Sequence, residues 1–420
     1  MPKVLILGLY YPPANFIAGR RLEGWARHLP SFGYEPLVLT RYYDPDERNG
    51  HDFYASTRAT RTLREPWLEA DGVVYTNFTP SLWNRLPLPG KVRGIGHYVW
   101  PDPDHSNWFR QCFKYLRAAQ FKPDLIIGSY GPPGALRVAR RLSARLGVPW
   151  VADYRDLWIE QFDESFDTRF KYFLQRRHLR SAAGIVVASD AMEDSLRRQL
   201  APLEKPLRLI YNGAEPIADV RAEADDGAAL KMFADVRERY EMVLTYAGTL
   251  YPAQEIERFL NTVGEFNERG GGGRPSCAVV LCGRHEREQY ARWPFVEVLG
   301  PVKHNTALFI QTQSTAVFYP TWPGRYSGFS GKLFEQVLTG RPVLVAFRPA
   351  ADLETLCGRF ESVTIARSPE ELINLLGQLP PGRTASATDG VPPIATRKYW
   401  TGELARFLDE LLERRRGKQE

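Results

Sequence analysis

Cysteine is scarce in this sequence: four residues in 420, Cys112, Cys277, Cys282 and Cys357, with no Cys-x-x-Cys pair and no tight cluster with histidine. That pattern excludes a disulfide framework and gives no sign of a structural zinc. Long hydrophobic runs are also lacking. The apolar opening of residues 4–9 is too short to cross a bilayer, and it runs into Tyr10, Tyr11, Pro12 and Pro13 instead of a small-residue cleavage site. It reads as the buried first strand of a cytoplasmic enzyme. No His-Glu-x-x-His, nucleophile elbow, Walker loop or Gly-x-Gly-x-x-Gly occurs, which argues against zinc hydrolysis, serine acyl transfer, NTP hydrolysis and dinucleotide chemistry. Asp44-Pro-Asp46 and Asp102-Pro-Asp104 mimic an Asp-x-Asp metal motif, but both lie in proline-rich turns where aspartate is expected anyway. Nor does an RNP-like, zinc-finger or basic-helix pattern organise the cations, so no nucleic-acid partner is expected.

What is present is an ordinary globular composition, 44% apolar and 25% charged, in a chain longer than one hydrophobic core usually fills. Two domains follow. The net charge of +6, from 55 Lys and Arg against 49 Asp and Glu, suits an anionic ligand or an anionic membrane surface. Short aliphatic runs, each followed by a turn signal and a helix-like stretch, predict mostly parallel sheets covered on both faces. In the first half they are residues 4–9, 35–40, 72–75, 124–128, 149–152 and 185–188. Residues 81–108, crowded with Pro, Gly, Trp and Tyr, break the rhythm and predict a long functional loop. A second set, at 207–211, 243–246, 278–281, 296–299, 316–319 and 342–346, predicts a second Rossmann-like sheet, with the boundary near Lys205. The polyglycine at 270–273 is expected to be a surface loop. Trp400, Leu404, Phe407, Leu408, Leu411 and Leu412, at helical spacing, predict an amphipathic closing helix.

The window 328–345 carries the most chemistry. Small residues lead into a helix that ends at Thr339 and Gly340 before a buried strand, the arrangement in which backbone N–H groups face a strand-end crevice suited to a diphosphate. Lys332 and Glu335 share one face of that helix, the lysine able to neutralise phosphate and the glutamate to accept from ribose hydroxyls. A capped amphipathic helix with a surface ion pair is the plainer reading. A lysine in the first turn opposes the helix dipole, which favours the functional one. Arg20 and Arg21 raise the same issue at a helix start: either an anion lies near, or they are a solvated pair. In the run from Asp153 to Trp158, a strand ends and two carboxylates and an arginine follow at once, where open α/β sheets place ligands. Asp156 there can contact a ligand, cap a helix beginning at Leu157, or both.

With these motifs in order, the sequence resembles the family 4 glycosyltransferases of the GT-B fold. The resemblance runs through Leu9 to Pro13, Gly19-Arg20-Arg21, Ala26 to Leu29, Lys122 to Ile127 and the Arg155-Asp156-Leu157-Trp158 signature of one branch. Asn212-Gly213, Ala247-Gly248, Gly300 to Val302 and the window from Lys332 follow. It implies two Rossmann-like domains facing a central cleft: an acceptor-binding domain over 1–205, a nucleotide-sugar-binding domain over 206–396, and a closing helix over 397–420 that packs back toward the first domain. It implies transfer with retention from a UDP- or GDP-sugar, with no cofactor beyond that donor and no obligatory metal. Gly248, Arg284, Val302, Gly331, Lys332 and Glu335 would form the donor site, with Lys332 on the diphosphate, Glu335 on the ribose and backbone near Val302 on the base. Arg284 would be a second cation, or else an exposed loop residue. Asp156 falls where many relatives carry an active-site histidine. Gly19, Arg20 and Arg21 would face the acceptor or a phosphate. Two departures stand out: Ser327 replaces the first glutamate of the family's pair, and residues 249–255 lack the usual Arg and Lys.

A nucleotide-sugar epimerase on the same frame and a non-catalytic membrane-apposed scaffold are the alternatives. The acceptor is expected to be a saccharide or a lipid-linked glycan in cell-surface polysaccharide or glycolipid synthesis, with peripheral attachment to the inner membrane face. Arg169 to Arg180, with its aromatic residues, and Trp83, Tyr98, Trp100 and Trp108 interleaved with Arg85, Lys91 and Arg93 motivate that location.

Overall fold

The computed structural model describes residues 1–417 apart from 13–16, 43–65, 78–102, 131–133, 160–165, 218–219, 252–253, 255, 271–275, 323–330 and 381–390. The chain divides into two compact units, Met1–Asn212 with Arg397–Glu420, and Gly213–Thr396.

Unit 1 alternates strand and helix: β1 Lys3–Leu7, α1 Ile17–His28, β2 Glu35–Arg41, β3 Trp67–Ala70, β4 Val73–Thr76, α2 Pro103–Ala118, β5 Leu125–Ser129, α3 Gly134–Leu146, β6 Trp150–Tyr154, α4 Phe166–Leu179, β7 Gly184–Val187, α5 Asp190–Leu200 and β8 Leu207–Leu209. The strands form one sheet in the order β3-β4-β2-β1-β5-β6-β7-β8, parallel except for β3. Continuous aliphatic runs suit its centre, since helices on both faces bury every side chain. Val4, Leu5, Ile6 and Leu7 of β1 and Leu125, Ile126 and Ile127 of β5 are fully buried.

In unit 2 the elements are α6 Gly227–Arg239, β9 Met242–Ala247, α7 Ile256–Arg269, β10 Cys277–Cys282, β11 Val296–Gly300, α8 His304–Thr312, β12 Ala316–Pro320, α9 Lys332–Leu338, β13 Val343–Ala346, α10 Ala351–Cys357, β14 Val363–Ala366 and α11 Pro369–Gln378. Its six-stranded parallel sheet runs β11-β10-β9-β12-β13-β14. The chain steps outward from β9 in one direction and from β12 in the other, so the topological switch lies between them. The chain then returns to unit 1 as α12, Arg397–Arg416.

Three expectations need correction. Residues 207–211 do not open the second sheet. Leu207 to Leu209 pair with β7, and unit 1 ends after Asn212, because Ile210 and Tyr211 are buried in it. The expected loop does not extend to Trp108: α2 begins at Pro103, and Trp108 is fully buried, its indole N–H donating to the Thr76 hydroxyl at 2.9 Å. No helix starts at Leu157. Leu157, Trp158 and Ile159 are buried in irregular chain, so Asp156 caps nothing there.

Candidate functional site

In unit 2 the candidate site grows from the strand ends at the switch, where open α/β sheets leave a crevice. At the ends of β9, β10 and β11 lie Gly248, Gly283 and Gly300, tied in series: the Gly248 N–H donates to the Cys282 carbonyl at 2.7 Å and the Gly283 N–H to the Gly300 carbonyl at 2.8 Å. Gly248 has φ +142° and Gly283 φ +143°, a region that favours glycine. Space demands glycine as well. A Cβ on Gly248 would fall 1.7 Å from Lys332 Nζ, and one on Gly283 2.5 Å from the Gly248 carbonyl oxygen.

Lys332, the first residue of α9, therefore lays its ammonium directly over the bare backbone of Gly248. It donates to the Tyr246 hydroxyl at 3.3 Å, and that hydroxyl donates to the Thr249 carbonyl at 3.2 Å. Burial lowers the Lys332 pKa, with Glu335 opposing the shift. Among the described residues no carboxylate lies within ion-pair distance of Lys332. Glu335 turns elsewhere, to His304 Nε2 at 3.7 Å, so the surface Lys–Glu pair allowed by the sequence does not form. His285 stands beside Gly283 and Gly248. Its pKa is lowered by burial and by the nearby Lys332 charge, against a hydrogen bond to the Gly248 backbone.

Of the remaining expected donor residues, Arg284 is exposed just after Gly283. Val302 is half-buried against the packing of Ala229, Phe233 and Leu299, in the loop between β11 and α8. Gly331 immediately precedes α9 with an ordinary helical φ of −55°. Ser327 lies outside the described residues. The structure thus brings Gly248, Lys332 and His285 together. The sequence reading missed His285 and Tyr246, the latter because a tyrosine inside an apolar run reads as core.

In unit 1 the switch lies between β1 and β5. Arg155 links the neighbouring strand ends, its Nε donating to the Tyr130 carbonyl at 2.7 Å and its guanidinium lying 5.3 Å from the Tyr10 ring. Asp156 beside it is 56% exposed and 4.0 Å from Arg155. Gly19 permits close approach, since a Cβ there would sit 2.9 Å from Tyr11 Cα. Arg20 is half-exposed and pairs with Glu23 at 2.9 Å.

Arg21 overturns its expected role. Its side chain is 3% exposed and makes an ion pair at 2.9 Å with Asp153, which is fully buried. Its Nη1 donates to the Ile210 carbonyl at 2.8 Å and to Asn212 Oδ1 at 3.0 Å, while Ser129 Oγ donates to Asp153 at 2.7 Å. A guanidinium so committed is a structural cation, not a phosphate ligand.

Residues 18–213 match the family model of the glycosyl transferase 4-like domain. Solved structures share the fold over nearly the whole chain at low identity. Anabaena HepE, solved with UDP and glucose, is 14% identical with a TM-score of 0.55, covering 100% of this chain and 99% of its own. The alpha,alpha-trehalose 6-phosphate synthase of Burkholderia multivorans is 12% identical at a TM-score of 0.62, covering 100% and 98%. A glycosyltransferase from Rickettsia africae is 9% identical at 0.61, covering 98% of each chain. No curated protein matches the sequence. The fold is that of the GT-B glycosyltransferases.

Proposed function

We propose that this chain transfers a sugar, with retention, from a nucleoside-diphosphate sugar bound by unit 2 to an acceptor hydroxyl presented to unit 1. The observation that carries the reading is the Lys332 ammonium, desolvated over Gly248 at the topological switch with no carboxylate partner among the described residues. A partly buried cation without a counter-ion costs free energy unless a ligand supplies the negative charge. Glu335, one turn deeper, accepts from the ribose; Val302 backbone contacts the base; Gly331 and Arg284 adjoin the diphosphate. Asp156 and Ser327 serve the reacting sugar, and Gly19 and Arg20 lie on the acceptor side. HepE structures contain UDP and UDP-glucose, which supports a UDP-sugar ahead of a GDP-sugar as donor.

Lys332→Ala removes the charge and leaves a better helix former, so it should weaken UDP-glucose binding at least tenfold, roughly the 1.5–3 kcal/mol of a charged hydrogen bond, without lowering the melting temperature. Calorimetric titration of wild type and variant checks this. Equal affinity in both would remove the site.

An exposed aromatic and basic face on α4 supports a membrane-bound acceptor. Phe170 and Phe173 are 37% and 51% exposed, and Arg169, Arg177 and Arg180 are exposed around them. Such aromatics favour the headgroup level, and each nearby cation contributes about 1 kcal/mol on anionic lipid. Co-sedimentation should require anionic vesicles, weaken with salt and fall in Phe173→Ser. Equal recovery with neutral and anionic vesicles would exclude membrane attachment.

A further inference from the structure

We infer that Tyr251 and Trp322 form an aromatic platform for the pyranose ring of the donor. The inference rests on the nucleotide-sugar reading of unit 2 and names residues that reading does not use. The two side chains come from the two sides of the topological switch: Tyr251 lies four residues beyond β9, and Trp322 two residues beyond β12. Their ring centroids are 5.0 Å apart with an interplanar angle of 41°. Tyr251 is 50% exposed. A tyrosine recruited for packing buries its ring, whereas this one offers it at the edge where ligands enter.

Described neighbours tie down the backbone at Tyr251 and beside Trp322. The Tyr251 N–H donates to Gln254 Oε1 at 2.9 Å, and the Gln254 N–H returns a bond to the Tyr251 carbonyl at 2.9 Å. Thr321, next to Trp322, is buried, and its hydroxyl donates to the Phe347 carbonyl at 2.6 Å. Phe347 and Arg348 there adopt φ of +61° and +41°, a strained turn that the Thr321 hydroxyl ties down. Rigid Tyr and Trp rings give large contact area at little entropic cost.

The placement selects a sugar over a base. The Tyr246 hydroxyl that receives the Lys332 ammonium donates to Thr249, two residues before Tyr251. From Gly248 to Tyr251 an extended chain spans at most about 10 Å, so the backbone of Tyr251 lies within that distance of the glycine beneath the Lys332 ammonium. The base is expected near Val302, beyond β11, two strands or about 10 Å to the side. A pyranose face presents polarised C–H groups, which suit the negative face of an aromatic ring.

Calorimetry with UDP, GDP, UDP-glucose, UDP-galactose, UDP-N-acetylglucosamine and GDP-mannose tests this. For whichever sugar nucleotide binds tightest, Tyr251→Ala and Trp322→Ala should each lose about tenfold in affinity while the parent nucleoside diphosphate changes less than about twofold. Tyr251→Phe, which keeps the ring, should retain wild-type affinity for both. An equal loss for the bare diphosphate would assign the rings to the nucleotide and overturn the platform, as would no loss for either ligand. If the wild-type protein binds none of the six, the nucleotide-sugar reading fails and takes the platform with it.

Discussion

At the scale of single residues, two cations that look alike in the sequence have opposite fates. Arg21 spends its donors on Asp153, Ile210 and Asn212 inside unit 1, whereas among the described residues the Lys332 ammonium donates only to the Tyr246 hydroxyl. Breaking a buried pair strands the remaining charge, so Arg21→Met should destabilise unit 1 by about 3–5 kcal/mol, and adding Asp153→Asn should restore part of that. Denaturant titration measures both. An Arg21→Met protein of unchanged stability but weakened ligand binding would return Arg21 to the phosphate role. The sequence could not separate these cases, because Arg21 finds Asp153 132 positions away, and nothing local marks the pairing. Lys332 stands out in the sequence because a lysine in a first helical turn opposes the dipole whatever its distant surroundings.

At the scale of elements, the central strands were legible and the edges were not. β1, β5, β9 and β10 each carry a run of apolar residues because both of their faces are buried, so the pattern needs no partner to be seen. β3, with Leu68, Glu69 and Ala70 all exposed, and β14, with Thr364 exposed, have little apolar signature and were missed. Where α4 meets the sheet, His178 lies edge-on to both Trp150 and Trp158, each at 5.7 Å. Burial, with Arg140 and Arg137 adding repulsion and the Leu136 backbone opposing, lowers its pKa from 6.5 to about 3. Between those values the unfolded chain binds the proton and the folded chain does not, so this contribution to stability is present above pH 6.5 and is lost as pH falls toward 3. His178→Phe removes the titration and keeps an aromatic ring between the tryptophans. The stability of wild type relative to this variant should therefore drop by about 1 kcal/mol per pH unit between about pH 6 and pH 4. A difference independent of pH, read from urea melts, would show that His178 is already charged in the fold.

For the whole molecule, the decisive feature is that unit 1 is closed by the end of the chain. Helical spacing made α12 visible in the sequence, and the family resemblance supplied its direction of return. Trp400, Leu404, Phe407, Leu408 and Leu411 are all buried. The fit is close: a Cβ on Gly184 would lie 2.7 Å from Phe407, and one on Gly402 would lie 2.9 Å from Phe32. Polar ties surround the apolar face, with Arg208 donating twice to Glu410 at 2.6 and 2.8 Å, the Tyr34 hydroxyl bonded to Asp409, and Arg415 reaching the Gly147 carbonyl at 2.6 Å. Tyr211 meets Trp400 edge to face at 4.8 Å. Burying five large side chains contributes roughly 10 kcal/mol, comparable to the entire net stability of a typical domain. A chain ending at Thr396 should therefore leave unit 1 unfolded or molten while unit 2, whose strands and helices are all retained, still folds. Limited proteolysis should then degrade residues 1–212 and spare a fragment covering 213–396, and hydrogen exchange should show protection confined to the second sheet. Gly402→Leu in the full chain should push in the same direction by crowding Phe32, lowering the stability of unit 1 by about 1–3 kcal/mol. Protection of β1 and β5 that survives truncation at Thr396 would mean that α12 decorates unit 1 without closing it.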